Sequence, residues 1–317
     1  MKVWISGAGG MIGSHLAEML AAEGHEILAT FYNPTIDLDE IAHLPTQEVD
    51  VTDWTSVLRS LADFAPDAIF HLAAQSYPTV SWQRPVETLR ANVIGTAIIF
   101  EAVRALGLAS RIVLAGSSAA YGFVEPEEVP ILESHALKPL HPYGVSKAAT
   151  EMLAYQYWAN FQVHALSARI FNCTGPRKVG DAASDFVRRA VSLENGRSDA
   201  VLLVGNLGAK RALIDVRDLN RALILLLDRG APGEIYNVSG STAYAMSQIV
   251  DLVLAQCARK DLAVEVDPEL LRTTDEKIIW GDTTRLHDAT GWRQEIPIER
   301  TIADMFTYWR GKKRSFA

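Results

Sequence analysis

The sequence predicts an α/β fold, a doubly wound parallel sheet with a smaller C-terminal α/β lobe, and three observations carry that prediction. Short apolar segments alternate with helix-length periodic ones through the first half, a glycine-rich turn joins the first such pair, and 317 residues exceed what one small core organises without subdivision. Val3 to Ser6 reads as a short buried strand. After the glycine turn an apolar-periodic helix runs to about Glu23, and Glu26 to Thr30 is the next strand, completing a βαβ unit. Further strands fit Gln47 to Val49, Ala68 to Leu72, Arg111 to Ala115 and His164 to Ala168. The helices between them fall at about Asp53 to Phe64, Pro85 to Leu106 and Pro142 to Asn160. After Ile170 the pattern turns irregular, with Gly-Pro turns, a helix near Ser184 to Glu194 and a strand at Ala200 to Val204. Leu219 to Leu227 followed by Gly233 to Val238 reads again as helix then strand, so the chain is expected to return to its first lobe before finishing in the second.

Composition narrows the function classes. Hydrophobic residues make up 49% of the chain and charged residues 21%, which suits a folded core and excludes the low-hydrophobicity regime of disorder. The longest uninterrupted apolar stretch, Ala222 to Leu227, falls far short of a bilayer span, so no membrane association is expected. The glycine motif follows Met1 too closely for a signal sequence, which makes the cytoplasm the expected location. A net charge of −8, with no basic run beyond the tail Lys312 to Arg314, lacks the footprint of a nucleic-acid binder. Cys173 and Cys257 are too few and too far apart for a disulfide framework or a zinc set, and no metal site is expected.

Gly7-Ala8-Gly9-Gly10-Met11-Ile12-Gly13 lies between the first strand and the first helix. Glycines there permit a tight turn and close approach of a pyrophosphate, and the helix start offers unpaired N–H groups. In this βαβ context the motif predicts a Rossmann-type dinucleotide site at Gly7, Gly10, Met11, Ile12 and Gly13. At the end of the second strand an acid would select NAD and an arginine NADP, but Thr30-Phe31-Tyr32-Asn33 offers neither. Either cofactor fits, the missing acid leaning toward NADPH, with Lys2 and His43 as cations that could lie nearby. Asp50 and Val51 could flank the adenine, although Asp50 could equally cap the following helix.

Tyr143 and Lys147 are four apart on a helix opened by Pro142, so they share a face. A lysine cation beside a phenol favours phenolate, which is expected to lower the tyrosine pKa, and the ammonium can also bond a ribose hydroxyl. Ser117 follows the strand Arg111 to Ala115 and should emerge at the carboxyl edge of the sheet, placed to orient a reacting carbonyl. The set Ser117, Tyr143, Lys147 therefore predicts oxidation or reduction at a hydroxyl or keto carbon.

Together with the glycine motif and this set, His71-Leu72-Ala73-Ala74-Gln75-Ser76, Ser117 four residues before Tyr121-Gly122, Pro142-Tyr143-Gly144-Val145-Ser146-Lys147 and Arg169-Ile170-Phe171-Asn172 resemble the extended short-chain dehydrogenase/reductase family over essentially the whole chain. Those enzymes modify nucleotide-linked sugars. The resemblance implies that Leu72, Ala73 and Ala74 line the cofactor, that Gln75 and Asn172 meet the sugar nucleotide, that Arg211 and Arg272 grip its diphosphate, and that Asp275 takes the nucleoside ribose. It implies a Rossmann domain of residues 1–169 plus about 212–240 and a nucleotide-sugar lobe of about 170–211 and 241–317. It also implies a homodimer through a four-helix bundle of the Pro85 to Leu106 and Pro142 to Asn160 helices, with Ile98, Ile99, Met152 and Leu153 as candidate contacts, although the same residues could face the sheet.

Within the family, Val204-Gly205-Asn206-Leu207, Arg211 with Asp215-Val216-Arg217-Asp218, and the stretch from Arg272 to Trp292 most resemble the GDP-4-keto-6-deoxy-mannose reductases and the GDP-mannose 4,6-dehydratases. A dehydratase needs a glutamate in the segment before Tyr121. Ala119 stands there, so dehydration would require Glu125, Glu127 or Glu128 to fold back. Reduction of a 4-keto-6-deoxyhexose needs only a hydride donor and the Tyr143 acid. A 4-epimerase would use the same three groups with a retained NAD, and a non-catalytic dinucleotide sensor would need none of them. Two residues depart from the reductase pattern: Ala212 after Arg211, where an aspartate is usual, and Cys173, where a histidine is common. Arg177 is read as reaching a ligand or a neighbouring subunit, or as a solvated surface arginine.

Overall fold

A computed structural model of the chain describes residues 1–194, 200–271 and 276–312. Its centre is a parallel sheet of β1 (Lys2–Ser6), β2 (Glu26–Phe31), β3 (Thr46–Glu48), β4 (Ala68–His71), β5 (Arg111–Ser117), β6 (Ala165–Ile170) and a last strand, Ile235–Val238. The spatial order is Ile235–Val238, β6, β5, β4, β1, β2, β3. The chain thus winds outward from β1 in one direction, then restarts at β4 on the other side of β1, leaving a crevice at the carboxyl ends of both.

Period-two alternation decides what each strand buries. Ile5, Phe70 and Val113 lie side by side in register and face one layer, where Leu16 and Leu20 of helix α1 (Met11–Ala22) meet Leu219, Leu223 and Leu226 of the Val216–Arg229 helix. Their neighbours Trp4, Ile69 and Ile112 face the opposite layer, against Val57 and Leu61 of helix α2 (Trp54–Phe64) and Ile99 and Phe100. Because helices cover both faces, β4 and β6 are buried at every residue, including the polar side chains of His71, Ser167 and Arg169.

A second core gathers Val187 and Val191 of the Ala182–Glu194 helix, Ile249 and Val253 of Met246–Gln256, and Ile302 and Phe306 of Ile298–Gly311. Small strand sets accompany it: Cys173–Thr174 beside Ile214–Asp215, Val201–Val204 beside Ala263–Val266, and Lys210–Ala212 between Ala243–Ala245 and Ile278–Ile279. None of the helices after Arg229, nor the short Pro78–Gln83 helix, was anticipated from periodicity.

Two expectations need correction. The single helix expected from Pro85 to Leu106 contains a π-helical turn at Arg90–Ile94 between the α-helical segments Pro85–Leu89 and Gly95–Ala105. A turn with i→i+5 bonds adds a residue without breaking the apolar pattern, so the sequence conceals it. Asp50 does not cap α2. Asp53 does, accepting the Thr55 N–H at 3.0 Å, while Asp50 Oδ1 closes its own turn by accepting from the Thr52 N–H and hydroxyl, both at 2.8 Å. Among the described residues, no helix is long and apolar enough to cross a membrane.

Candidate active site

The carboxyl ends of β1, β4 and β5 open into one cleft of about 1380 Å³, larger than a drug-sized pocket and roomy enough for two extended ligands. Gly7, Gly10, Met11, Ile12, Gly13, Asp50, Val51, Leu72, Ala73, Ala74, Gln75, Ser117, Tyr143, Lys147, Asn172 and Arg211 all line it. Arg272 and Asp275 lie outside the described residues. Lys2 and His43 do not line it; Lys2 opens β1 at the opposite edge of the sheet, its ammonium donating to the Phe64 carbonyl at 3.3 Å.

At one end the glycine turn delivers the start of α1. Gly10 sits at the N-cap with no side-chain cap and no acid in the first turn, so the first N–H groups of α1 stay available to an anion. Gly13 lets the turn fold back on the helix: a Cβ there would stand 2.4 Å from the Gly7 carbonyl oxygen. This is the cradle a dinucleotide pyrophosphate requires, and the residues fit that group. Beside it, Tyr32, Asn33 and Thr35 line the cleft where the cofactor ribose would lie, and none of them is charged.

The catalytic set converges at the other side. β5 ends at Ser117, whose Oγ accepts the Ala119 N–H at 3.2 Å and caps a tight turn at Ser118–Ala120. The Pro142–Phe161 helix presses its first turn on that loop: His141 Nδ1 accepts the Gly144 N–H at 3.0 Å, and a Cβ on Gly144 would come 2.4 Å from the Ala119 oxygen. This close approach brings Tyr143 into hydrogen-bond contact with Ser117. One turn on, Lys147 is buried; its Nζ donates to the Ala115 carbonyl at 2.7 Å and stands 5.9 Å from the Tyr143 ring centroid.

The charges differ from expectation. Burial pushes the Tyr143 phenol up from its ordinary pKa, and the hydrogen bond with Ser117 only partly draws it back. The rise from burial outweighs the lowering expected from Lys147, whose ammonium is hydrogen-bonded to a backbone carbonyl and is itself lowered to about 8 by burial, with the Glu151 carboxylate holding it up. Tyr143 thus holds its proton near neutrality. Beneath it, Glu151 and Arg169 form a buried pair, Nη2 to Oε2 2.6 Å, and the guanidinium stacks 4.4 Å from the Tyr121 ring centroid.

Two candidate ligand residues separate clearly. Asn172 Oδ1 is buried with no partner, the signature of a group awaiting a donor. Gln75 lines the cleft, but its amide is spent inside the protein: Oε1 accepts the Tyr77 N–H at 2.6 Å and Nε2 donates to the Tyr77 carbonyl and to Thr88 Oγ1. Its backbone is held in turn by Asn92, a residue of the π turn that the sequence did not single out and whose poor helix propensity was the available signal. Arg211 is anchored beside Glu276, donating to that residue's carbonyl at 2.8 Å. Glu125, Glu127 and Glu128 stay off the cleft; the Glu128 carboxylate accepts the Glu125 N–H at 3.0 Å and pairs with His135 at 3.4 Å. Arg177, far from being solvated or reaching outward, is paired with Glu18 and Glu40 of its own chain.

Residues 4–305 match the GDP-mannose 4,6 dehydratase family. The chain belongs to that family. It is an NAD(P)-dependent oxidoreductase of the extended short-chain dehydrogenase/reductase type. Within the GDP-mannose 4,6-dehydratase family it is similar to the GDP-6-deoxy-D-mannose reductase of Pseudomonas aeruginosa, 30% identical over 99% of this chain and 98% of the relative. It is also similar to the GDP-mannose 4,6-dehydratase of Sinorhizobium fredii, 27% identical over 98% of each chain. Two solved structures share its fold: that of RMD from Pseudomonas aeruginosa complexed with NADPH, with TM-score 0.84, 28% identity and coverage of 98% and 99%, and that of a Thermus thermophilus UDP-glucose 4-epimerase complexed with NAD, with TM-score 0.88 at the same identity and coverage.

Proposed function

We propose that this enzyme reduces the 4-keto group of a nucleotide-linked 4-keto-6-deoxyhexose, GDP-4-keto-6-deoxy-D-mannose, using NADPH in preference to NADH. The observation that carries the reading is a complete Ser117, Tyr143, Lys147 set beside a residue, Ala119, that has no proton to exchange. Elimination of water from the hexose would need an acid–base group in that segment, and the nearby glutamates are turned away from the cleft. The similarity to a named GDP-6-deoxy-D-mannose reductase over nearly the full length supports the same reading.

A nicotinamide dinucleotide held at the Gly7, Gly10 and Gly13 turn would supply the hydride for the keto carbon. Tyr143, protonated near neutral pH, gives its proton to the oxygen that becomes the alkoxide, and Ser117 orients that oxygen by hydrogen bond. Lys147 offers a buried positive charge that favours the phenolate left behind. Asn172 Oδ1 accepts a hydroxyl of the sugar nucleotide, and Arg211 meets its diphosphate. Incubation with GDP-mannose should leave that sugar unchanged, whereas GDP-4-keto-6-deoxymannose and NADPH should be consumed together; conversion of GDP-mannose would overturn the reading in favour of a dehydratase.

The 4-epimerase reading draws on the likeness to the Thermus thermophilus enzyme. It requires NAD to remain bound through purification and to be regenerated each cycle.

The assembly we propose is a homodimer through a four-helix bundle. Val86 and Ile94 on the first helix pair and Met152 and Tyr155 on the Pro142–Phe161 helix are exposed large apolar residues on neighbouring, mutually packed helices. Of the contacts expected from sequence, Met152 is 64% exposed, but Ile99 is fully buried and belongs to the sheet core. Two free thiols, Cys173 and Cys257, suit the reducing cytoplasm.

A further inference from the structure

His71 is a buried titratable group that the reaction leaves unused, and its two ring nitrogens reach toward both halves of the site. It ends β4 in register with Ser6 of β1, and both side chains enter the layer that holds Trp4 and Ile69, toward the Gly95–Ala105 helix. Nδ1 lies 2.7 Å from Ser6 Oγ, and Nε2 lies 2.9 Å from Thr96 Oγ1 on that helix.

Counting donors fixes where the protons are. Ser6 Oγ accepts the Ala73 N–H at 3.2 Å and the Leu72 N–H at 3.1 Å, the latter shared with the Ser6 carbonyl. Both lone pairs of the hydroxyl are taken, so its one hydrogen goes to His71 Nδ1. Thr96 gives its hydrogen to the Asn92 carbonyl at 2.6 Å, which leaves Oγ1 to accept from Nε2. His71 is therefore neutral, with its proton on Nε2. Burial, with the Lys147 cation adding to it, pushes the imidazole down to about 3, so the ring stays neutral through the working range.

The line of bonds continues to the catalytic helix. Asn92 donates from Nδ2 to Ser146 Oγ at 2.8 Å, and the Ser146 hydroxyl donates to the Tyr143 carbonyl at 2.6 Å. At one end the line holds the N–H groups of Leu72 and Ala73, packed so tightly on the glycine turn that a Cβ on Gly7 would stand 2.7 Å from Ala73 N. At the other end it holds the helical turn that carries Tyr143. Ser6, His71, Thr96, Asn92 and Ser146 are all buried, so each bond constrains the next and a lost partner is not replaced at low cost.

We infer that His71 is a positioning residue for the reaction: as an imidazole of fixed tautomer it sets the cofactor-lining loop after β4 against the π turn and, through Asn92 and Ser146, against Tyr143. The inference rests on the reading of Tyr143 as the acid, whereas the bonds themselves are present without substrate.

The two ends can be tested separately, because a glutamine amide can stand in for Nε2 and an asparagine oxygen for Nδ1. His71→Gln keeps the bond to Thr96 and loses the one to Ser6; it should weaken NADPH about 10-fold in fluorescence titration with kcat largely kept. His71→Asn keeps Ser6 and loses Thr96; it should lower kcat about 10-fold with NADPH affinity largely kept. Thr96→Val should repeat that loss of kcat without touching the histidine, and Thr96→Ser, which restores the hydroxyl, should recover most of it. Nitrogen-15 NMR of the wild-type imidazole at about pH 7 should show a protonated Nε2 and a bare Nδ1. A proton on Nδ1, or a charged ring, overturns the inference alone. Equal losses of kcat and NADPH affinity in both His71 variants overturn it as well, since packing alone would produce them. A wild type that binds NADPH but does not turn over GDP-4-keto-6-deoxymannose overturns the functional reading, and the tautomer together with the NADPH titrations then decides the inference.

Discussion

Lys147 is pulled two ways, lowered to about 8 by burial and held up by Glu151. A lysine is cationic below its pKa, so the charge that favours the Tyr143 phenolate is present at neutral pH and is lost as pH rises through about 8. The pH profile of kcat/KM for reduction should accordingly fall above about pH 8, and Glu151→Gln should move that fall to lower pH. A profile that stays level to about pH 10, the range of an ordinary lysine, would contradict this assignment. Just past β2, Tyr32 and Asn33 line the cleft, and neither is a carboxylate. Asn33→Asp should place an acid against the ribose diol and shift preference from NADPH toward NADH by about 10-fold in the ratio of kcat/KM values, read from initial rates with each cofactor. Residues whose roles follow from local spacing were legible in the sequence: Tyr143 and Lys147 one turn apart, the glycines at a strand–helix junction. Arg177 was not, because its partners Glu40 and Glu18 lie 137 and 159 residues away. The raised rather than lowered Tyr143 pKa was also hidden, since it depends on burial and on where the lysine spends its hydrogen bond.

The strand–turn–helix unit at the start of the chain depends on Gly13 more than its length suggests. A methyl group there would have to displace the Gly7 carbonyl, the backbone on which the pyrophosphate cradle is built. Gly13→Ala should weaken NADPH binding at least about 10-fold, measured by fluorescence titration, with a smaller loss of thermal stability. The helix carrying Tyr143 and Lys147 is keyed to β6 by the buried Glu151–Arg169 pair. Arg169→Met strands a buried carboxylate and should cost about 3–5 kcal/mol of unfolding free energy in urea titration, far more than a surface pair would. Elements of the first half could be read because long, well-separated strands and helices keep their periods. The π turn could not, because its added residue leaves the apolar pattern intact, and yet it is what turns Asn92 toward Gln75 and fixes the loop after β4.

At the scale of the whole molecule the helix Ala182–Glu194 and the strand Val201–Val204 of the second lobe were legible, but its shortest strands escaped the sequence for a physical reason. Cys173–Thr174, Ile214–Asp215 and Ile278–Ile279 are two-residue strands, too short to display alternation, and they pair with segments distant in sequence. The return of Ile235–Val238 to the main sheet was legible because it is preceded by a strongly amphipathic helix. The exposed apolar face of the two neighbouring helices leads to a further expectation: light scattering should give twice the 34.8 kDa chain mass, and Met152→Glu should shift it toward the monomer. A wild-type monomer would contradict the proposed bundle. The central claim, net reduction at the sugar's 4-keto carbon with Tyr143 as the acid, is tested most directly with deuterated NADPH and GDP-4-keto-6-deoxymannose. The account predicts one deuterium at C4 of the product for each NADPH oxidised, and a loss of turnover of about 100-fold or more in Tyr143→Phe with cofactor binding retained. Sugar conversion without net NADPH oxidation, or a Tyr143→Phe enzyme as fast as wild type, would contradict it.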